Sequence, residues 1–434
     1  MTEWTSAQTI RMGKPIRKLQ PRKTTFAMQH RSPPSPSSTD GILCGQPTDD
    51  IILVDITSSL SSPSFFRRKY TAPILTQPFA VSEPKSGVPF DQGLVERHEK
   101  KKQWIHHGLE VLNSSFKACL PLKEAEDANL VAETDDAIKS IPTSSPTLDG
   151  EPDLLVFQEN LSATYGIVCN LLPIVDLTIA SLEQLSLVDI YGVVHGNGLS
   201  YWLTLKLSAD RNYEYMIPPN SAFLLGPFTR TISLFNAFSK SCNTPGFDFI
   251  LLDPPWPNRS AHRAKHQNSY KTSTFDVYDL FKFKASSHIR QNGVVAIWIT
   301  NSSKWRNFVI GKLFPAWNVQ MVAEWIWLKV TTNGEPIFDL ENVARKPYES
   351  LILAKPVFSL DQSIPSTDGI HQLKDKLVFA TPDIHSRKPC LKGLIEPYLS
   401  SNPRCCEIFA RNLTEGWFSW GNDVLKGNWR GCWS

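Results

Sequence analysis

The chain has 434 residues, 41% of them hydrophobic, enough to bury a substantial core in two or three domains rather than one. A formal charge of +3 excludes a histone-like polycation, so any nucleic-acid contact must come from local basic patches. The longest apolar runs, such as Val294 to Ile299, are strand-sized and far short of the roughly 20 residues of a membrane helix, so no transmembrane segment and no membrane partner are expected.

At the N-terminus, Arg11, Lys14, Arg17, Lys18, Arg22, Lys23 and Arg31 stand against one early acid, Glu3, and no apolar core of a secretory signal is present. The charge pattern fits a mitochondrial presequence. The Pro/Ser tract from Ser32 to Ser38 fits a disordered basic arm, which the composition favours, and residues 1–50 are therefore expected to form a tail. An accessory region follows over 51–170. Within it the apolar spacing of Val95, Trp104, Ile105, Leu109 and Leu112 predicts a helix to Phe116, with Lys100, Lys101 and Lys102 on a solvated face. The acidic, Ser/Pro-rich stretch from Glu124 to Asp153 reads as a flexible linker.

Residues 171–220 are expected to form a small β-rich module. Alternating runs at Tyr191–His195, Tyr201–Leu207 and Tyr213–Ile217 are broken by Gly196-Asn197-Gly198 and Ala209-Asp210, which is hairpin chemistry. Eight cysteines without a CxxC pair or a His/Cys cluster at ligand spacing are expected to be reduced thiols, with no metal site.

From Ser221 the texture changes. Almost wholly apolar strands are predicted at Ala222–Leu225, Phe247–Leu252, Val294–Thr300, Val319–Lys329, Glu349–Ala354, Leu377–Ala380 and Cys406–Ala410. Helices are predicted at Phe275–Arg290, Ser303–Leu313 and Pro389–Leu399. Continuous apolar strands interleaved with helices mean a largely parallel sheet covered on both faces, a doubly wound α/β domain over 221–434.

In such folds ligands sit beyond the carboxyl ends of the strands. Asp253-Pro254-Pro255-Trp256 follows the buried strand Phe247–Leu252 directly, so it is expected at that edge. The amine of an aminated purine is a poor nucleophile because its lone pair is delocalised into the ring. Two acceptors, the Asp253 carboxylate and the Pro254 carbonyl, would take its protons and help that lone pair localise, while the prolines fix φ and remove competing donors. Trp256 offers a face for a flipped base. The plainer alternative is that Pro-Pro ends the strand and Trp256 packs in the core.

Asp-Pro-Pro-Trp resembles the motif of the MT-A70 adenine N6-methyltransferases, and further features match in the family's order. These are Tyr270, the strand Glu324-Trp325-Ile326-Trp327-Leu328-Lys329, Tyr348-Glu349, Ser386-Arg387-Lys388-Pro389, Glu407 to Asn412, Trp417 and Trp420-Gly421-Asn422. The resemblance implies a Rossmann-like class I methyltransferase domain in permuted order, with the catalytic motif before the cofactor strand, which accounts for the lack of a glycine-rich loop. It implies S-adenosylmethionine as cofactor. Lys388 would contact its methionine carboxylate, Arg411, Asn412 and Asn422 its ribose hydroxyls or nearby polar atoms, and Leu225 and Gly226 its adenine pocket, with Asp253 also among the cofactor-binding residues. The family histidine near Asn412 is missing, and Asp423 stands where an amide is common.

Between Trp256 and Thr272, Arg259, Arg263, Lys265, Tyr270 and Lys271 lie in a polar loop expected to close over a nucleic-acid substrate, joined by Lys329 and Glu349. Trp325 and Trp327 are either base platforms or core. The resemblance implies an RNA N6-adenine methyltransferase, within a clade that modifies an internal 2′-O-methyladenosine of U2-type small nuclear RNA, and a nuclear location. A DNA adenine substrate, or a silent RNA-binding subunit of a methyltransferase complex, stays open. Nothing in the residues identifies a 2′-hydroxyl contact.

Overall fold

The computed structural model describes residues 42–59, 75–80, 91–120, 175–176, 185–186, 190–208, 213–241, 246–257, 275–342, 345–357, 371–382 and 387–433. The described strands run, in chain order, β1 Ile42–Cys44, β2 Ile51–Val54, β3 Val175–Asp176, β4 Leu185–Ser186, β5 Val194–Asn197, β6 Leu203–Ser208, β7 Tyr213–Ile217, β8 Ser221–Leu225, β9 Phe247–Leu252, β10 Ile289–Ile299, β11 Val319–Lys329, β12 Tyr348–Pro356, β13 Lys376–Ala380, β14 Cys405–Ile408 and β15 Trp417–Gly421. The helices that matter below are α1 Gln92–Val111, α2 Phe228–Ser241, α3 Ser303–Phe308 and α4 Lys392–Ile395.

Twelve of these strands form one sheet in the order β1-β2-β13-β11-β12-β10-β9-β14-β15-β8-β5-β3, and β4-β6-β7 form a second. The middle of the large sheet, β10-β9-β14-β15-β8, is parallel throughout. β12 runs antiparallel between β10 and β11. The carboxyl ends of β9, β14, β15, β8, β10 and β11 therefore lie along one edge, together with the amino end of β12. Both faces are apolar because alternate side chains of the strand enter different cores: Ile250 and Leu252 pack under α2, while Phe249 and Leu251 pack under α4. The mixed α/β sheet fits a Rossmann-like methyltransferase.

Several elements depart from the sequence reading. The expected helix 275–290 is two short 3-10 turns, Val277–Lys282 and Ala285–Ser287, because Asp276 caps the first and Val277, Leu280 and Phe283 are drawn inward. Strand β10 then begins at Ile289. The helix α2 and the strands β2 and β15 lie where no element was predicted. The helix expected over 389–399 shortens to α4 with a 3-10 turn at Glu396–Tyr398. The helix predicted from Val95 starts three residues earlier on the Asp91 cap, whose carboxylate accepts from Leu94 N at 3.0 Å, and continues as a π turn through Phe116.

The expected boundaries fall inside packed structure. β1 and β2 lie in the tail and accessory segments, yet β2 pairs with β13 in the main sheet, and α1 covers the buried side chains of β11 and β13. The module expected over 171–220 joins the same sheet through β5, which pairs with β8. Its turn Gly196-Asn197-Gly198 is fastened by the buried Asn197 amide, which donates to the carbonyls of Tyr201, Ile217 and Pro218. The acidic linker and residues 1–41 lie outside the described residues. Lys101, expected on a solvated face, forms a buried ion pair with Glu324, which Arg306 also holds at 2.9 Å. Cys44 and Cys119, expected as free thiols, form a disulfide across a sequence separation of 75, which folding alone brings together. Cys405 and Cys406 are buried free thiols. Among the described residues no helix is long and apolar enough to cross a membrane, and no cluster of three metal-ligating side chains occurs.

Candidate active site

Strand β9 ends at Leu252, and the next amide, Asp253 N, still donates to Ile408 O of β14 at 3.3 Å, so the carboxylate leaves the sheet at its edge. Lys388, in the segment that follows β13, reaches the same point. Its ammonium lies 3.2 Å from Asp253 Oδ2 and 3.1 Å from Glu349 Oε2. Glu349, the second residue of β12, also pairs with Lys329, the last of β11. Arg411 stands 3.8 Å from Asp253 on the other side. Five side chains from five separate segments thus form an alternating row of charges, Lys329, Glu349, Lys388, Asp253 and Arg411.

The row is dry enough to matter, since Lys388 and Asp253 each keep only 13% side-chain exposure. Burial pulls the Lys388 ammonium down, but Asp253 and Glu349 outweigh it and hold it above the ordinary lysine range. Burial pushes the Glu349 carboxyl up, and the attraction of Lys388 and Lys329 reverses that to about 2. The Lys388 ammonium also lies 5.6 Å from the Trp298 ring centre, a cation–π approach that orients it.

A second feature lies one strand over. Glu407, inside β14, is paired across the sheet with Leu251 on one side and Ser419 of β15 on the other. Burial, and then the neighbouring Asp253, push its carboxyl up to about 8. Ser419 is fully buried and its hydroxyl has no hydrogen-bond partner. Two polar groups thus stand at paired positions on the face to which Asp253 belongs, and the Ser419 hydroxyl is left with unmet hydrogen-bonding capacity.

The chain beyond β14 turns sharply to form the rest of this edge. Phe409 sits at φ 63°, a conformation that costs a residue with a side chain about 1–3 kcal/mol, and its ring is fixed between Phe228 and Phe275. Past it, Ala410 N donates to Trp420 O and Gly427 N donates to Arg411 O at 2.7 Å, which fastens Arg411 and Asn412. Gly421 must be glycine because a Cβ would lie 2.8 Å from Ala410 O.

The sequence-predicted residues divide accordingly. Asp253, Lys388, Arg411, Asn412, Asn422 and Gly226 come to the same edge, and Lys329 and Glu349 join them through ion pairs. Leu225, expected to line an adenine pocket, is instead core: it is 2% exposed in an apolar cluster under β6 and β7, and its carbonyl accepts from Gly192. Trp256, expected to offer a stacking face, is 8% exposed. Its indole N–H donates to Trp298 O at 2.7 Å and its ring rests on Trp305 and Phe308, so it anchors the motif from within. The Pro254 carbonyl already accepts from Trp256 N at 2.8 Å, which leaves one lone pair for a substrate. Trp325 and Trp327 are core. Arg259, Arg263, Lys265, Tyr270 and Lys271 lie outside the described residues. Glu407 and Ser419 were not predicted as site residues; the available signal was an acid inside the apolar run Cys405-Cys406-Glu407-Ile408.

Comparison with known proteins decides the family. The MT-A70 family model matches residues 247–423, which spans β9 to the loop after β15. The human N(6)-adenine-specific methyltransferase METTL4 is 30% identical over 79% of this chain and 69% of its own. The chain belongs to the MT-A70 family. A Pyricularia oryzae relative, N6-methyladenosine RNA methyltransferase MTA1, is 36% identical over 57% of this chain and 63% of its own length. A Caenorhabditis elegans relative, DNA N6-methyl methyltransferase, is 30% identical over 46% of this chain and 50% of its own. MT-A70 methyltransferases take their methyl group from S-adenosylmethionine, and the chemistry of the row of charges fits that molecule. The cations Lys388 and Arg411 suit its carboxylate.

Proposed function

We propose that this chain is an S-adenosylmethionine-dependent methyltransferase acting on the N6 amine of adenine in RNA, at an internal 2′-O-methyladenosine of small nuclear RNA. The observation that carries the reading is the Asp253 carboxylate, fixed between Lys388 and Arg411 at the end of β9, one strand from the paired Glu407 and Ser419. We read the strand order as a permuted class I arrangement, with the motif strand β9 preceding β14 and β15 in the chain while lying beside β14 in the sheet.

When bound, S-adenosylmethionine supplies the electrophilic methyl group. The protein positions the other reactant. Asp253 and the remaining lone pair of the Pro254 carbonyl accept the two protons of the exocyclic amine, which turns its nitrogen lone pair out of the ring plane. Lys388 and Arg411 take the carboxylate of the methionine portion, and Asn412 and Asn422 its ribose side. The rigid placement of Asp253 supplies orientation, and the low-polarity edge strengthens each charge–dipole contact.

The RNA reading is supported by the likeness to the Pyricularia oryzae N6-methyladenosine RNA methyltransferase, and the Caenorhabditis elegans DNA N6-methyl methyltransferase gives DNA adenine as the second reading. The test offers matched RNA, 2′-O-methylated RNA and DNA oligomers with cofactor and quantifies N6-methyladenine by mass spectrometry. Methylation of the 2′-O-methylated RNA above the other two supports the full proposal, and product on DNA alone replaces it. Asp253→Ala should abolish transfer with the thermal midpoint kept; near-wild-type turnover in that variant refutes the mechanism.

A further inference from the structure

Trp256 ends one end of an aromatic strip that the reaction chemistry does not use. Its ring meets Trp305 of α3 at 5.6 Å; Trp305 meets Phe308 at 6.2 Å; Phe308 meets Tyr278 at 5.5 Å. Exposure alternates along the strip. Trp256 and Phe308 are buried, Trp305 is half-buried, and Tyr278 is 57% exposed. Trp305 is also fastened to the catalytic motif, because its indole N–H donates at 3.1 Å to the carbonyl of Pro257, the residue after Trp256. A cation accompanies it: the exposed Lys304 places its ammonium 4.6 Å from the Trp305 ring centre.

A large exposed tyrosine, and an indole held by a hydrogen bond and joined to it through Phe308, lose little conformational freedom when a flat partner stacks on them, and aromatic faces of this kind take any base. An adenine drawn out of its stack for reaction leaves its neighbour unstacked as well. We propose that Trp305 and Tyr278 form a shelf on which the nucleotide flanking the target adenine stacks, with Lys304 moving from the indole to that nucleotide's phosphate. The proposal rests on the nucleic-acid reading given above and adds the subsite that holds the strand beside the reacting base.

The test is an affinity cycle with a fluorescein-labelled single-stranded RNA carrying one target adenine. Wild type should lose about ten-fold in affinity when one flanking base is replaced by an abasic residue, the loss expected for one stacked base. Tyr278→Ala, and separately Trp305→Leu, should each weaken the intact RNA but lose little further when that same base is absent. Circular dichroism and cofactor binding confirm that each variant is folded. Since Tyr278 is exposed, its variant keeps the test readable if Trp305→Leu fails to fold. Losses that simply multiply, or no loss for an abasic residue on either side, overturn the shelf. Methyl transfer measured in the same samples separates the two proposals: product formation without the coupling removes the shelf alone, coupling without product removes the proposed activity alone, and no RNA binding by wild type removes both.

Discussion

Replacing Lys388 by methionine deletes the cation between two carboxylates while keeping most of the apolar stem. Removing one partner of a nearly buried ion pair costs about 3–5 kcal/mol, most of it the penalty of the charge left behind. Two neighbours soften the loss here, because Lys329 still faces Glu349 and Arg411 stands 3.8 Å from Asp253. About 2–3 kcal/mol at neutral pH is therefore expected. The pH dependence carries a sign. Glu349 is held at about 2 against an ordinary 4.5, so its contribution is present above 4.5 and is lost as pH falls towards 2. Part of that depression comes from Lys388, so the stability gap between wild type and Lys388→Met should narrow as pH is lowered through this window. Urea unfolding at a series of pH values measures it, with Glu349→Gln and the double variant completing a cycle that isolates the Lys388–Glu349 coupling. A loss below about 0.5 kcal/mol, the size of an exposed pair, would show that water already serves these groups. A gap that does not change with pH would refute the assignment to Glu349.

Glu407→Gln tests the burial of the Glu407 carboxyl. A carboxyl raised to about 8 makes the folded protein hold a proton that the unfolded chain has released, so wild-type stability should fall as pH rises from 4.5 to about 8. The glutamine variant should lack that slope, and equal slopes in thermal midpoints would place Glu407 in solvent. Gly421→Ala should cost about 1–3 kcal/mol, the usual penalty of overpacking, because its Cβ would press on Ala410 O at 2.8 Å. Cofactor affinity by calorimetry should fall with it, since Arg411 and Asn412 hang from that contact; unchanged affinity would show that the loop yields elsewhere.

Much of the α/β domain was legible because each strand is a closed apolar run. Phe247–Leu252 and Val319–Lys329 occur with the predicted bounds. Where local pattern and tertiary packing competed, packing prevailed. Phe275 to Arg290 has enough apolar residues for a helix, but Phe283 and Ile289 are both drawn into one core, and the chain turns early to begin β10. Trp256 is the instructive case at the site. Aromatic beside a catalytic carboxylate, it satisfies the requirements of a platform and of a core anchor equally, and its burial together with its hydrogen bond to Trp298 separates them.

By itself, the sequence determined the alternation of strands and helices, the position of Asp253 at a strand end, and the family. Those properties depend on neighbours in the chain, and periodicity records them. The tertiary structure decided which charges meet. Lys329, Glu349, Lys388, Asp253 and Arg411 come from five segments, and Glu407 faces Ser419 only because β14 and β15 lie side by side. Electrostatic pairing acts over a few ångströms of space regardless of separation along the chain, so the row of charges and its shifted carboxyls exist only once the sheet is assembled.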